Sequence, residues 1–340
     1  MGVLACRNRG APCPQLRPPP PVTVAQGTLG ELKHGLTKIP SRGMLKIMKA
    51  NLHLHSRISD GTEWPAEVAQ RAYRTGLQWV ALTDHDTLGG VGEFQRAAEM
   101  LGLKVTPAVE IDSIAQEIGY RSELLAYFPE GRYERTKALL SEVTRSRLAY
   151  VRSSIYKAQR HFVKSHVSFD ELLNYKRRGR PELPAESFSF NKIDIFNYFK
   201  TQGVIAQNVT YRAFKKAYLE TELLSGSPYE KPSCSEVIQA VHADGGLVVL
   251  PHIGHEFQDD IQLIKKNQKA WKATLDYFCS LGIDGIELYW YRNGDTEAIN
   301  KLVAAEAAKR NLRITFGSDC HGLGSGKETM ELFWGEMIHL

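Results

Sequence analysis

From residue 45 onward the chain keeps switching between two hydrophobic periods, and that alternation limits the fold more than any other feature. Apolar runs of period two (residues 45–54, QWVALTDHD, KVTPAVEID, ELLAYF) are followed by runs of period 3.6 (PAEVAQRAYRTGL, VGEFQRAAEMLG). The last third repeats the pattern with LVVLPH, KATLDYFCSLG, GIDGIELYW, TEAINKLVAAEAAKRNL and RITFGSDCHG. Short strands alternating with amphipathic helices predict an α/β fold with a mainly parallel sheet. Pro65 opens the first helix and Gly102 closes the second, each at the end where its backbone is favoured.

Two stretches break the pattern. Residues 1–43 contain RPPPP and no periodicity, which predicts a disordered N-terminal extension. Met44 or Met48 is then a natural start of the folded part. Residues 131–234 are dominated by helical patterns and read as a helical insertion, splitting the body into 44–130 and 235–340. The insertion's basic run (Lys176, Arg177, Arg178, Arg180) reads as a solvated loop beside Pro181.

The strand ends share one chemistry. The first ends in His53 and His55, two apart and so on one face, with Asp60 in the turn that follows. The second ends in Asp84, His85 and Asp86, the third in Glu110, a later one in His252, and the last in Asp319 and His321. One polar strand end is ordinary. Five that use only His, Asp and Glu are hard to explain as packing, and the carboxyl ends of parallel strands are where α/β folds gather functional groups. Imidazole and carboxylate without cysteine suit Mn²⁺, Zn²⁺ or Fe²⁺, and this many donors exceed what one ion needs, so two or three ions are expected. Such a cluster generates hydroxide near neutral pH and neutralises phosphoryl oxygens, so phosphate esters are the natural substrates.

NLHLHSRISDG, LTDHDT, AVEID, LPH and GSDCHG, in this order, resemble the successive motifs of the PHP (polymerase and histidinol phosphatase) family over residues 44–324, and within it the stand-alone small-nucleotide phosphoesterases. The resemblance implies a distorted (β/α)7, TIM-like barrel with a trinuclear site. His53, His55 and Asp319 would hold one ion, Glu110 would bridge it to a second that His252 also binds, and Asp60, His85 and His321 would hold a third. A bridging hydroxide would be the nucleophile. Three positions depart from the family pattern: Asn51 stands where Asp is common, Glu123 where a histidine ligand usually begins the ELLAYF strand, and His255 where many relatives place an arginine that meets phosphate. Glu123 is therefore either a ligand or an exposed strand-end carboxylate, and His255 a weakened or pH-dependent phosphate contact. Arg57 is a further candidate substrate contact. Asp86 either orients metal-bound water or caps a loop.

Other residues have plainer readings. Cys320 points away from its ligand neighbours and fills space, and Tyr289, Trp290 and Tyr291 form wall or core. Five scattered cysteines without a CxxC pair fit a reducing cytoplasm. A net charge of +5 on 340 residues permits an anionic substrate but is too small for a nucleic-acid-coating protein. No run reaches membrane-spanning length, and no obligate protein partner is evident. The expected substrate is a small phosphorylated molecule, possibly a nucleotide or short RNA trimmed from its 5′ end. Two competing readings are an amidohydrolase-like C–N hydrolase, against which TDHD and the DxH pair count, and a non-catalytic metal-binding module.

Overall fold

The computed structural model describes residues 46–340 apart from 122, 164, 228, 230 and 293, so the expectations for residues 1–43 and Met44 lie outside the described residues. The body opens with β1 (Met48–Leu54), α1 (Pro65–Arg74), β2 (Trp79–Leu82), α2 (Val91–Met100), β3 (Lys104–Val105), β4 (Ala108–Asp112) and β5 (Glu123–Tyr127). Four helices follow: α3 (Glu134–His161), α4 (Phe169–Arg177), α5 (Lys192–Thr201) and the single turn α6 (Tyr211–Phe214). The chain then returns through α7 (Cys234–Ala243), β6 (Leu247–Leu250), α8 (Ile261–Lys266), α9 (Gln268–Leu281), β7 (Gly285–Tyr289), α10 (Thr296–Arg310), β8 (Arg313–Gly317) and β9 (Gly335–Met337).

Local chemistry explains the boundaries. Pro65 occupies the first turn of α1, where its missing N–H costs nothing, and the Glu67 carboxylate accepts from the Trp64 N–H at 2.7 Å. At the start of α7 the cap is reciprocal: the Glu236 N–H donates to Ser233 Oγ and the Ser233 N–H to the Glu236 carboxylate. KVTPAVEID, expected as one strand, is two. Pro107 cannot donate to a ladder, and the chain changes sheets there, β3 pairing with β2 and β4 with β5.

The strands form a four-stranded sheet in the order β3-β2-β1-β9 and a five-stranded sheet in the order β4-β5-β6-β7-β8. β1/β2, β2/β3, β6/β7 and β7/β8 are parallel. β5 runs antiparallel to both its neighbours, as β9 does to β1, so the sheets are less uniformly parallel than the alternation suggests. Isolated parallel bridges, Leu54 to Cys320 and His85 to Glu110, link the two sheets. All these bridging residues lie at or beside candidate site positions, so the seam between the sheets passes through the site.

Apolar burial divides in three. A large cluster joins the five-stranded sheet to α7, α9 and α10, and a smaller one packs α1 and α2 on β1 and β2. The third lies among α3 to α6 and also takes in Ile58 and Trp64 from the loop after β1. No helix among the described residues is long and apolar enough to cross a membrane.

Candidate metal centre

Alternation along β1 sends His53 and His55 to one face, toward the seam, where neither is exposed. Three other site residues sit just past strand ends with positive φ: Asp86 (51°), His252 (24°) and Asp319 (52°). Non-glycine residues avoid this region, at a cost of order 1–3 kcal/mol each, and tend to persist in it at functional sites.

The eight expected residues converge. The Glu110 Oε2 lies 3.2 Å from His53 Nε2, 3.3 Å from His55 Nε2 and 3.2 Å from His85 Nδ1, and its Oε1 lies 3.1 Å from His252 Nε2. Asp319 Oδ1 is 3.1 Å from His55 Nε2 and 3.3 Å from His321 Nδ1. Asp60 Oδ1 is 3.2 Å from His321 Nε2 and 3.8 Å from His85 Nε2. Glu123, whose role sequence left open, reaches to 3.9 Å from His252. It can do so because β5 is reversed, which brings the first residue of that strand beside Asp112. The donors fall into groups that could each hold an ion: His53–His55–Glu110, His55–Asp60–His85–His321, Glu110–Glu123–His252 and His85–Asp112–Glu123. Asp112 was not foreseen.

The donor set fits divalent cations. His53 and His55 bring their Nε2 atoms within 3.1 Å of each other, and the His55 Nδ1 is buried with no hydrogen-bond partner. Lone pairs packed this closely need a positive centre between them. Protons can serve. Burial lowers the His53 pKa, but Glu110 and Glu287 outweigh it and hold the imidazole well above its ordinary value. Burial would raise Glu110, Asp60 and Asp319, yet His53 and His85 for the first, His321 and His85 for the second, and Lys327 and His321 for the third hold all three well below the carboxylate range. A metal ion must displace the His53 proton, so binding is weakest where that proton is held and strengthens as pH rises through the elevated pKa. Mn²⁺ titrations should show affinity increasing about tenfold per pH unit for each proton released. A flat profile across the neutral range would contradict this.

Neighbouring groups fix the donors. Glu287 Oε1 accepts from His53 Nδ1 at 2.8 Å, which leaves the Nε2 lone pair facing the cluster. Tyr289 donates its hydroxyl to Asp319 Oδ2 at 2.9 Å, and Lys327 donates to the same oxygen at 2.6 Å. Asn51, at a position where the family often has Asp, donates to Ser318 Oγ at 2.8 Å and ties β1 to the loop carrying Asp319. A Cβ at Gly317 would collide with the Glu287 carboxylate and the His53 Cβ. Gly317→Ala should therefore break the Glu287–His53 contact and weaken metal affinity about 10- to 100-fold. Calorimetric titration of parent and variant decides it, and unchanged affinity would show that the contact is dispensable.

Other singled-out residues sit around the donor groups. Asp84 accepts from Ser56 and Ser59 and stays outside the donor groups. Asp86 is buried, accepts from the Asp112 N–H at 2.8 Å and pairs with Arg147 of α3. Burial pushes its pKa up to about 6 against the pull of Arg147. Arg57 donates to the Lys176 and Tyr175 carbonyls, both at 3.0 Å. His255 stacks on His252 with ring centroids 4.6 Å apart and hydrogen-bonds Asp259 at 2.5 Å. Cys320 is buried as a space-filling residue, and Cys234, Cys279 and Cys320 are free thiols. Lys176, expected in a solvated loop, is buried near the end of α4 because Asp194 offers it a partner. Arg180 likewise pairs with Glu93.

A cavity of about 430 Å³ opens beside the centre, between Asp60, His85 and Glu123 on one wall and the helices on the other. The helical wall carries Arg147, Lys192 and Lys231 together with Tyr150, Tyr211 and Tyr229. Lys231 pairs with Asp112 at 3.3 Å. Burial, then the charge of Lys215, lowers the Lys192 pKa against Glu220, and Lys231 and Arg147 add to the lowering.

Comparison with known proteins agrees with this chemistry. The family model described as the PHP domain matches residues 51–278. A 5′-3′ exoribonuclease of Haemophilus influenzae is 25% identical over 80% of this chain and 90% of its own length. A phosphoribosyl 1,2-cyclic phosphate 1,2-diphosphodiesterase of Eggerthella lenta is 24% identical over 81% of this chain and 95% of its own. Among solved structures, a candidate metal-dependent phosphoesterase from Bifidobacterium adolescentis superposes with a TM-score of 0.61 at 26% identity, covering 81% of this chain and 88% of that one.

Proposed function

The chain belongs to the PHP domain family, and from that premise we propose that it is a metal-dependent phosphoesterase acting on small phosphorylated molecules, nucleotides among them. The observation that carries this is the sharing of Glu110 among His53, His55, His85 and His252 beside a cavity walled by cations and tyrosines. His53, His55 and Asp319 would hold one ion, Glu110, His252 and Glu123 a second, and Asp60, His85 and His321 a third. When bound, Mn²⁺, Zn²⁺ or Fe²⁺ supplies Lewis acidity, lowering the pKa of water and offsetting phosphoryl charge. The chain's own groups do the rest. Glu287 holds the His53 tautomer, Tyr289 and Lys327 orient Asp319, and Lys192 and Lys231 would meet substrate anions. Tyr211 and Tyr229 offer faces for a base or sugar.

The two sheets with their single bridges read as an opened (β/α)7 barrel, and residues 131–234 as the insertion that roofs it. The three free thiols among the described residues support the reading of a reducing compartment.

Lys192→Ala should raise KM for an anionic substrate about 10- to 150-fold, the equivalent of one charged hydrogen bond, with metal content unchanged. An unchanged KM would remove Lys192 from the substrate site.

A second reading, trimming of short RNA from its 5′ end, is favoured by the similarity to the exoribonuclease. One experiment separates the two. Mn²⁺-reconstituted protein is given a nucleoside 3′,5′-bisphosphate and a short 5′-phosphorylated RNA, with His321→Ala as control. Inorganic phosphate from the first supports the phosphatase reading. Mononucleotides from the second, with a steep salt dependence, support the nuclease. No release from either, with metal bound, would overturn both.

A further inference from the structure

Two parts of the chain build the loop that delivers Asp60. On the body side, Asp84 accepts from Ser56 N at 2.7 Å and from Ser59 Oγ at 2.6 Å. On the helical side, Lys176 donates its ammonium to the Ser59 carbonyl and to Asp194 Oδ1, the latter at 2.6 Å. The Ser189 N–H donates to the Ile58 carbonyl at 2.9 Å, and Ile58 packs into the apolar cluster of the helices. Arg57 completes the set through the carbonyls of α4 described above. Arg57, Ile58 and Ser59 are thus each fastened to the helical insertion, and the next residue is Asp60.

A buried Lys–Asp pair adds little net stability, because desolvation offsets its attraction. Its value here lies in where the ammonium points. Lys176 is 3% exposed and spends its charge on a loop carbonyl one residue before a candidate ligand.

We propose that Lys176, held by Asp194, is a positioning residue for the Asp60–His85–His321 pocket, so that docking of the helical insertion and occupancy of that pocket are one coupled equilibrium. The proposal rests on the phosphoesterase reading only through the assignment of that pocket to a metal. Coupling of this kind is reciprocal: the docked insertion tightens the ion, and the ion holds the insertion down. The pocket of His53, His55 and Glu110 takes its donors from β1, the residue after it and β4, with Asp319 from the loop after β8 and nothing from the helical insertion, and its ion should be indifferent.

The test counts ions and measures their affinities in the full chain. Asp60→Asn should lose one Mn²⁺. Lys176→Met combined with Asp194→Leu, which leaves no unpaired buried charge, should bind that same ion roughly 5- to 150-fold more weakly and the remaining ions as the parent does. Adding Asp60→Asn to this pair should remove that weakened ion and leave the remaining ions at parent affinity. Lys176→Arg, which keeps a cation on Asp194 and a donor for Ser59, should restore the ion. In the parent, Mn²⁺ should slow amide exchange in α4, α5 and Ser189 by a comparable factor. This measurement decides the matter even if the paired variant does not fold. Parent-like affinity in the paired variant, or exchange in α4 and α5 that ignores the metal, overturns the proposal. An unchanged ion count in Asp60→Asn overturns the pocket and the proposal together, while leaving hydrolysis by the parent to judge the phosphoesterase reading separately.

Discussion

Glu110→Gln should lower phosphate-ester hydrolysis at least a thousandfold and remove at least one ion per chain. The two side chains have almost the same shape, so the loss would isolate charge. One carboxylate approaches four imidazoles within 3.1 to 3.3 Å. An amide retains a single neutral oxygen and turns N–H donors toward nitrogens that must themselves offer lone pairs. Bound cations contribute several kcal/mol of transition-state stabilisation. At 1.36 kcal/mol per tenfold change, the loss of about 4 kcal/mol is three decades in rate. Steady-state kinetics with a metal assay on the same sample checks this. A variant within tenfold of the parent, still fully loaded, would mean that Glu110 is a bystander and that the centre lies in the other donor groups.

Arg147→Met should destabilise the protein by about 3–5 kcal/mol, the cost of leaving a buried charge without its partner. Arg147 lies half-way along α3, pairs with Asp86, and reaches Asp112 Oδ2 at 2.6 Å. Asp112 retains Lys231 when the guanidinium goes, whereas Asp86 keeps the Asp112 N–H but has no other ion-pair partner among the described residues. Asp86→Asn added to Arg147→Met should therefore recover most of the loss, since removing both charges leaves nothing unpaired. Urea unfolding of the parent, the single and the double variant gives the three numbers. Equal stability of single and double variants would show that Asp86 is protonated in the parent or solvated in the variant.

Sequence pointed to the candidate donors because their pattern is local. Histidines two apart on a strand, and the same spacing in DxH, survive any uncertainty about how strands pair. Glu287 left a weaker signal: a carboxylate in the apolar strand GIELY, buried on both faces, is intolerable unless something holds it, and His53 does. Asp112 was legible only with the direction of β5, which sets it opposite Glu123. Arg147, Lys192 and Lys231 could not be assigned at all. Each belongs to the helical insertion or its edges, and their meeting with the centre depends on how those helices pack. Lys176 was misread for the same reason: a basic run looks solvated until a distant Asp194 offers one of its members a buried partner.

The reversed strand β5 has one more consequence. Its last residue, Tyr127, pairs with Leu247, the first residue of β6, so the chain leaves and re-enters the body at one rung of a single ladder. The helices α3 to α6 between them are an excursion from a ladder whose register is already set, with α7 packing back on the sheet before β6. For such an excursion the entropy of closure rises by only about 0.6 kcal/mol per doubling of length. The ladder between β5 and β6 can therefore accept a connection of very different length without shifting a strand.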